Sequence, residues 1–201
     1  MLYYILQLRL AQHSTNREGK RLVKSSASKI AGYFLYAAMI QGGAAVVITF
    51  LGAFANQIQL LPVPAARVIA SGEAGTWFTV GYVIYLIVGV VAMAVTSLFY
   101  FYIETMQGKP YKGISKAFAW MHLILGNVGV AGAAFIVMWG GYWGGAAMQP
   151  TKFGGKGWDT AQVHVNILGA LAVPIAAFIA LALIGFLLGG LGYLIAMRSK
   201  A

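Results

Sequence analysis

The sequence predicts an all-α integral membrane protein, a bundle of four transmembrane helices preceded by an N-terminal interfacial segment. Composition is the first reason: of 201 residues 60% are hydrophobic and 9% charged, against roughly 25% charged in soluble domains. A soluble fold would lack the polar surface to cover itself. The second reason is the stretch from Trp77 to Gly145, which holds WFTVGYVIYLIVGVVAMAVTSLFYFYI and AFAWMHLILGNVGVAGAAFIVMWGG. Each exceeds the roughly 20 residues needed to cross about 30 Å of hydrocarbon, and neither carries a formal charge between its flanks. The third is the placement of the net charge of +10, which gathers beside apolar spans instead of forming a basic face with interleaved aromatics. Anionic lipid headgroups are the cheaper partner for it, and nucleic acid is not expected.

Residues 1–29 form a basic arm. Its beginning, MLYYILQLRLAQ, is apolar but carries Arg9, is too short to span, and lacks the basic start and small-residue cleavage site of a signal peptide. It is expected to lie along the membrane surface or on a partner. The remainder sets Arg17, Lys20, Arg21, Lys24 and Lys29 against the single acid Glu18 and reads as a juxtamembrane anchor, with His13 solvated within it.

The transmembrane domain covers 30–197, with spans expected at about 30–54, 77–102, 117–141 and 163–197. In the first, Gln41 is the one strongly polar side chain, and Gly42 and Gly43 beside it would let a helix approach closely enough to partner the amide. The loop that follows contains Pro62 and Pro64, which interrupt helix locally, and its alternating apolar residues are expected to lie back on the bilayer or on another subunit. The second span ends in Phe99, Tyr100, Phe101 and Tyr102, an interfacial aromatic belt. A basic turn with Lys109, Lys112 and Lys116 leads to the third span, where Gly126, Gly129, Gly132 and Ala133 leave one face nearly bare backbone. Close helix contact follows from that spacing. After a Gly-rich loop bearing Trp143 and Trp158, the fourth span runs for 35 positions from Val163 to Met197, or about 52 Å. It must tilt, bend at Pro174 or project, and Gly185 and Gly189 offer another contact face. Residues 198–201 are a short tail.

Eleven Lys and Arg lie in the arm, the middle turn and the tail, against Arg67, Lys152 and Lys156 in the other two loops. The positive-inside rule then places both termini in the cytoplasm of a multi-pass cell-membrane protein.

Chemistry-bearing residues are few. The absence of Cys excludes disulfides, thiolate metal sites and cysteine nucleophiles. No G-x-S-x-G or Walker pattern is present. Glu18, Glu73, Glu104 and Asp159 all fall in arms or loops, which argues against a proton-driven transporter. Paired histidines hold haem in many helical membrane proteins. Here His122 and His164 open helices that enter from opposite faces, on the order of 20 to 30 Å apart. One haem cannot use both within one chain. A single axial ligand, or a site completed by another subunit, stays open for each, as does a hydrogen-bonded structural role. Gln41, Asn127 and Asn166 are the polar groups at membrane depth, suited to interhelical hydrogen bonds or to a small ligand.

The run from GYVIYLIVGVV through the GKPYKG turn, MHLILGNVGVAGAAF, GGYWGGAAMQPTKF and WDTAQVHVNILGALAV resembles, in order, the last three helices of the catalytic subunit of haem-copper oxidases. In that family a helix opens with His-x-His-Tyr and a later loop carries two arginines that face haem propionates. Here Thr79 and Gly81 precede Tyr82, and MQPTKF retains only Lys152. The copper-binding histidines belong to earlier helices that four spans do not include. The resemblance therefore implies a shortened relative without metal centres. It would be a non-catalytic accessory subunit of a respiratory membrane oxidoreductase, of the terminal oxidase type. Haem and copper would reside in partner subunits, and a groove between subunits could hold lipid or quinone. Two other readings of the residues are a homo-oligomeric channel or carrier lined by Gln41, Asn127 and Asn166, and a haem b subunit with one histidine ligand.

Overall fold

The structure is a computed structural model that describes residues 28–55, 57–58 and 60–199. The expected interfacial segment and most of the basic arm lie outside the described residues. Four helices are long and apolar enough to span a membrane, Lys29–Phe54, Ala74–Met106, Gly113–Met148 and Thr160–Arg198. They form an all-α membrane bundle. Three of them overrun the expected limits, because interfacial polar and glycine residues extend a helix whose ends are capped or packed. The third span continues through Gly144 and Gly145 and stops at Gln149, whose extended backbone is what the adjacent Pro150 favours. It starts at Lys112, whose backbone N–H donates to Ser115 Oγ at 3.1 Å.

The third span is central, packed on the second along one side and on the fourth along the other. Its contact with the fourth is backbone on backbone. A Cβ built on Gly129 would stand 2.4 Å from the Ala182 nitrogen, and one on Gly185 would stand 2.6 Å from the Gly126 nitrogen. The contact with the second span is as close, since a Cβ on Gly141 would fall 2.1 Å from the Phe78 nitrogen and one on Gly81 2.9 Å from the Ala134 carbonyl oxygen.

The second span changes partner midway. Before Tyr85 its small residues face the third span; after Val91, Ser97 Oγ donates to the Ala31 carbonyl of the first span at 2.8 Å, and Tyr100 stacks on Phe34 with ring centroids 4.7 Å apart. Between the two halves lies a π-helical stretch, Tyr85–Val91. Its wider turn adds a residue to the ladder and rotates the second half of the span about the helix axis.

The fourth span is irregular near its start, π-helical over His164–Leu168 and 3-10 over Gly169–Leu171, before a regular helix from Ala172. Pro174, which lacks an N–H, contributes to the break in the ladder. Asp159 caps the beginning by accepting from the Gln162 N–H at 2.7 Å.

The loop between the first two spans, expected on the bilayer or on another subunit, packs in part within the chain. It folds onto the third span, with Val63 and Val68 fully buried and the Tyr142 hydroxyl donating to the Val63 carbonyl at 2.9 Å. Burial against Tyr142 and Gly145 within the chain is worth more than an interfacial position for these valines. The loop closes on Glu73, a non-glycine residue at φ 47°, a conformation that costs of order 1–3 kcal/mol.

At the opposite end the four spans are clasped. Ser28 Oγ accepts from the Ala31 N–H at 3.1 Å and donates to Glu104, tying the start of the first span to the end of the second. Lys109 Nζ donates to the Met197 carbonyl, tying the middle turn to the last turn of the fourth.

Gly43 stands apart from the contact glycines. It was expected at a helix contact beside Gln41, but it faces outward with open space around a built Cβ, whereas Gly42 makes an ordinary contact 3.7 Å from Val90. The packing thus predicts opposite signs for two glycine-to-alanine changes. Gly129→Ala is expected to destabilise the chain by about 1–3 kcal/mol in micellar unfolding, because the Ala182 backbone cannot yield. Gly43→Ala is expected to be neutral or to stabilise by up to about 1 kcal/mol.

Candidate functional site

Polar and aromatic side chains within the spans gather at two places. The first is a cluster near the clasped end. His122 is buried and shares a 3.1 Å hydrogen bond between its Nδ1 and the Tyr100 hydroxyl. Around the pair stand Phe34, 5.0 Å from the imidazole centroid, Phe186 at 5.7 Å and Tyr193 at 6.4 Å. The fourth side is closed by Gly189, where a Cβ would lie 2.1 Å from Nδ1. Gly189 is thus the residue that makes room for the imidazole. The Tyr193 hydroxyl sits beside that of Tyr100 without the geometry of a full hydrogen bond. In the adjoining turn, Tyr111 packs on Tyr100 at 5.0 Å, and burial pushes its hydroxyl above the ordinary phenol range, with Tyr100 and Glu104 acting in the same direction. Desolvation disfavours the phenolate, so Tyr111 stays neutral.

The second place is at mid-depth. Gln41 Nε2 donates to Asn127 Oδ1, whose own amide donates to the Leu123 carbonyl at 2.6 Å. The Tyr85 hydroxyl donates to the Gln41 carbonyl at 3.1 Å. Gln41 is therefore tied to both the second and the third spans, and its Oε1, with no hydrogen-bond partner, rests against Gly89, where a Cβ would stand 2.6 Å away. Asn166 does not join this pair. It is exposed and donates to the Gln162 carbonyl of its own helix at 2.7 Å. The irregular start of the fourth span turns it outward, so the three polar residues expected to line one path are not gathered.

His164 lies at the other end of the bundle from His122, beside a small cavity of about 200 Å³ that is also lined by Trp77, Gly140, Leu168 and Leu171. That volume is below the roughly 300–1,000 Å³ of small-molecule sites. The ring of His122, for its part, is enclosed on every side by packed groups. Neither place is a haem-sized cavity formed by this chain. Gly81 is pressed on Ala134 and Met138, and an imidazole there would collide with the third span. Among the described residues no three His, Asp or Glu side chains converge as a metal site would need.

No protein family, curated protein or solved structure matches the chain. The reading of function therefore rests on geometry. Of the residues proposed for helix contact, Gly126, Gly129, Gly185 and Gly189 all lie in the seam between the third and fourth spans, Gly42 touches Val90, and Ala133 is half-buried. Residues not anticipated are Ala182, the Gly75–Gly145 and Phe78–Gly141 contacts, and the tyrosines Tyr111 and Tyr193. The signal for the glycine contacts was present as Gly140, Gly141, Gly144 and Gly145, a recurrence that ending the span at Gly141 cut in two.

What the site can do is hold helices in register. Gln41→Leu strands Asn127 Oδ1 and is expected to cost roughly 0.6–1.7 kcal/mol in micellar unfolding. The double variant Gln41→Leu/Asn127→Leu should regain part of that loss, since no acceptor is left orphaned. Asn166→Leu should change stability by less than about 0.5 kcal/mol.

Proposed function

We propose that the chain is a non-catalytic accessory subunit of a multi-subunit respiratory membrane oxidoreductase, of the terminal oxidase type, and works through the faces it offers to neighbouring subunits in lipid. The observation that carries the reading is an outward stripe on the first span. Gly32, Tyr36, Ile40, Gly43 and Val47 recur at intervals of three and four residues, which puts them on one face of the helix. Tyr36, Ile40 and Val47 are 65, 73 and 57% exposed, and built Cβ atoms on the two glycines meet nothing. Glycine gains nothing from lipid, whereas it lets another helix approach to backbone distance. The fourth span adds a second free face, because it packs chiefly on the third and the most apolar part of it is only 11% buried.

The polar economy of the spans supports the same reading. Gln41 donates to Asn127, with its Oε1 closed off against Gly89, and His122 is spent on Tyr100, so the structure gives no specific support to a channel lined by these groups. Haem and copper are then the property of partner subunits. The end that carries Lys29, Lys109, Lys112, Lys116 and Arg198 is assigned to the cytoplasm by the positive-inside rule, in a cell membrane.

Purification from native membranes in mild detergent tests the proposal. The chain is expected to elute with a haem-bearing subunit, to show no Soret absorption once separated, and to pass no ions or small solutes when reconstituted alone in liposomes. Gly43→Trp should lower recovery of the partner several-fold while leaving the isolated chain folded. A preparation free of any haem protein would sink the assignment.

A further inference from the structure

A groove of about 850 Å³ runs between the end of the second span and the last turns of the fourth, lined by Leu98, Phe99, Tyr102, Met106, Tyr193 and Met197. It lies at the upper end of the range for small-molecule sites. The groove exists because the third span holds the second and fourth largely apart: those two meet near Tyr102–Met106 and where Tyr193 packs on Phe99 and Tyr100. Its wall is almost wholly apolar, and from Leu98 to Met106 it extends about 12 Å along the second span. It is thus shaped for a chain rather than for a polar solute.

Among the described residues, the cations beside this groove sit at one end. Lys109 is fixed there by its bond to the carbonyl of Met197, itself a wall residue, and Arg198 is the next residue, exposed at the helix terminus. The nearest acid, Glu104, is engaged with Ser28 on the flank toward the first span. At the opposite end of the bundle the cations are disposed differently: Arg67 lies 3.7 Å over the Phe153 ring, Lys152 4.9 Å over the same ring, and Lys156 4.1 Å over Trp158. An apolar trough that opens beside two cations at the depth of the headgroups complements a molecule with an acyl tail and a negative head.

We propose that this groove is a binding site for an anionic phospholipid, with one acyl chain laid between Phe99 and Met197 and the phosphate held by Lys109 and Arg198. The inference does not depend on the accessory-subunit reading, since it concerns the isolated chain. A cation near the membrane surface is worth about fivefold in occupancy for an anionic lipid. The groove adds the positional selectivity that a loosely held lipid shell lacks.

Native mass spectrometry of the full chain in detergent, titrated with phosphatidylglycerol or with phosphatidylcholine of the same acyl composition, tests the site. The expected result is one retained phosphatidylglycerol at concentrations where phosphatidylcholine is lost. Arg198→Gln, which leaves the Lys109 clasp in place, should lower retention about fivefold, and Lys109→Gln/Arg198→Gln by more. Met106→Trp, which fills the groove without altering charge, should abolish selective retention even if the double variant proves unstable. Arg67→Gln at the other end should have no effect. Equal retention of the two lipids, or of a neutral isoprenoid quinone, would overturn the proposal, and so would selective retention that survives both Arg198→Gln and Met106→Trp.

Discussion

The bundle depends on how closely the third span can approach its two neighbours. In lipid, bringing apolar side chains together removes no water, so helices associate through dispersion and hydrogen bonds that lipid cannot match. Gly126, Gly129 and Gly185 answer this on one side of the third span, and Gly75, Gly81, Gly141 and Gly145 on the other. Each substitutes backbone contact for a side chain. Everything else, from the path of the second span to the gap between the second and fourth, is set by a central helix flattened on two sides.

Once the backbones are this near, polar groups find partners at fixed positions. The Gln41–Asn127 bond and the Tyr85 hydroxyl on the Gln41 carbonyl join the first span to both of its neighbours at mid-depth. His122 with Tyr100 joins the third span to the second near the clasped end, and it can do so only because Gly189 leaves space for the ring. These are specific interactions of modest individual strength. Their value lies in fixing register, since sliding one helix past another would orphan several buried groups at once.

The number of spans and their apolar cores were legible in the sequence, because eighteen or more uncharged apolar residues in succession have few alternatives. The seam between the third and fourth spans was legible from the spacing of Gly126, Gly129, Gly185 and Gly189. The seam between the second and third was not. Gly144 and Gly145 stand next to Trp143, beyond the expected end of the span at Gly141, and glycines beside aromatics read as an interfacial loop until Ala74 and Gly75 are seen packed on them. The outward aspect of Gly43 and the placing of Asn166 were hidden for a related reason: sequence tells which residues are small or polar but not which way a helix faces. That orientation was set for the second and fourth spans by π-helical and 3-10 turns, which leave no mark in composition.

The irregular opening of the fourth helix has a mechanical meaning. Between His164 and Leu171 the backbone has surrendered its regular ladder, and Pro174 denies it an immediate recovery. A pull or push on the outer tip of this helix would fall first on that joint, ahead of the Gly129–Ala182 contact beyond it. A thicker or thinner bilayer at that rim would then be met at the joint before it reached the interior alignment.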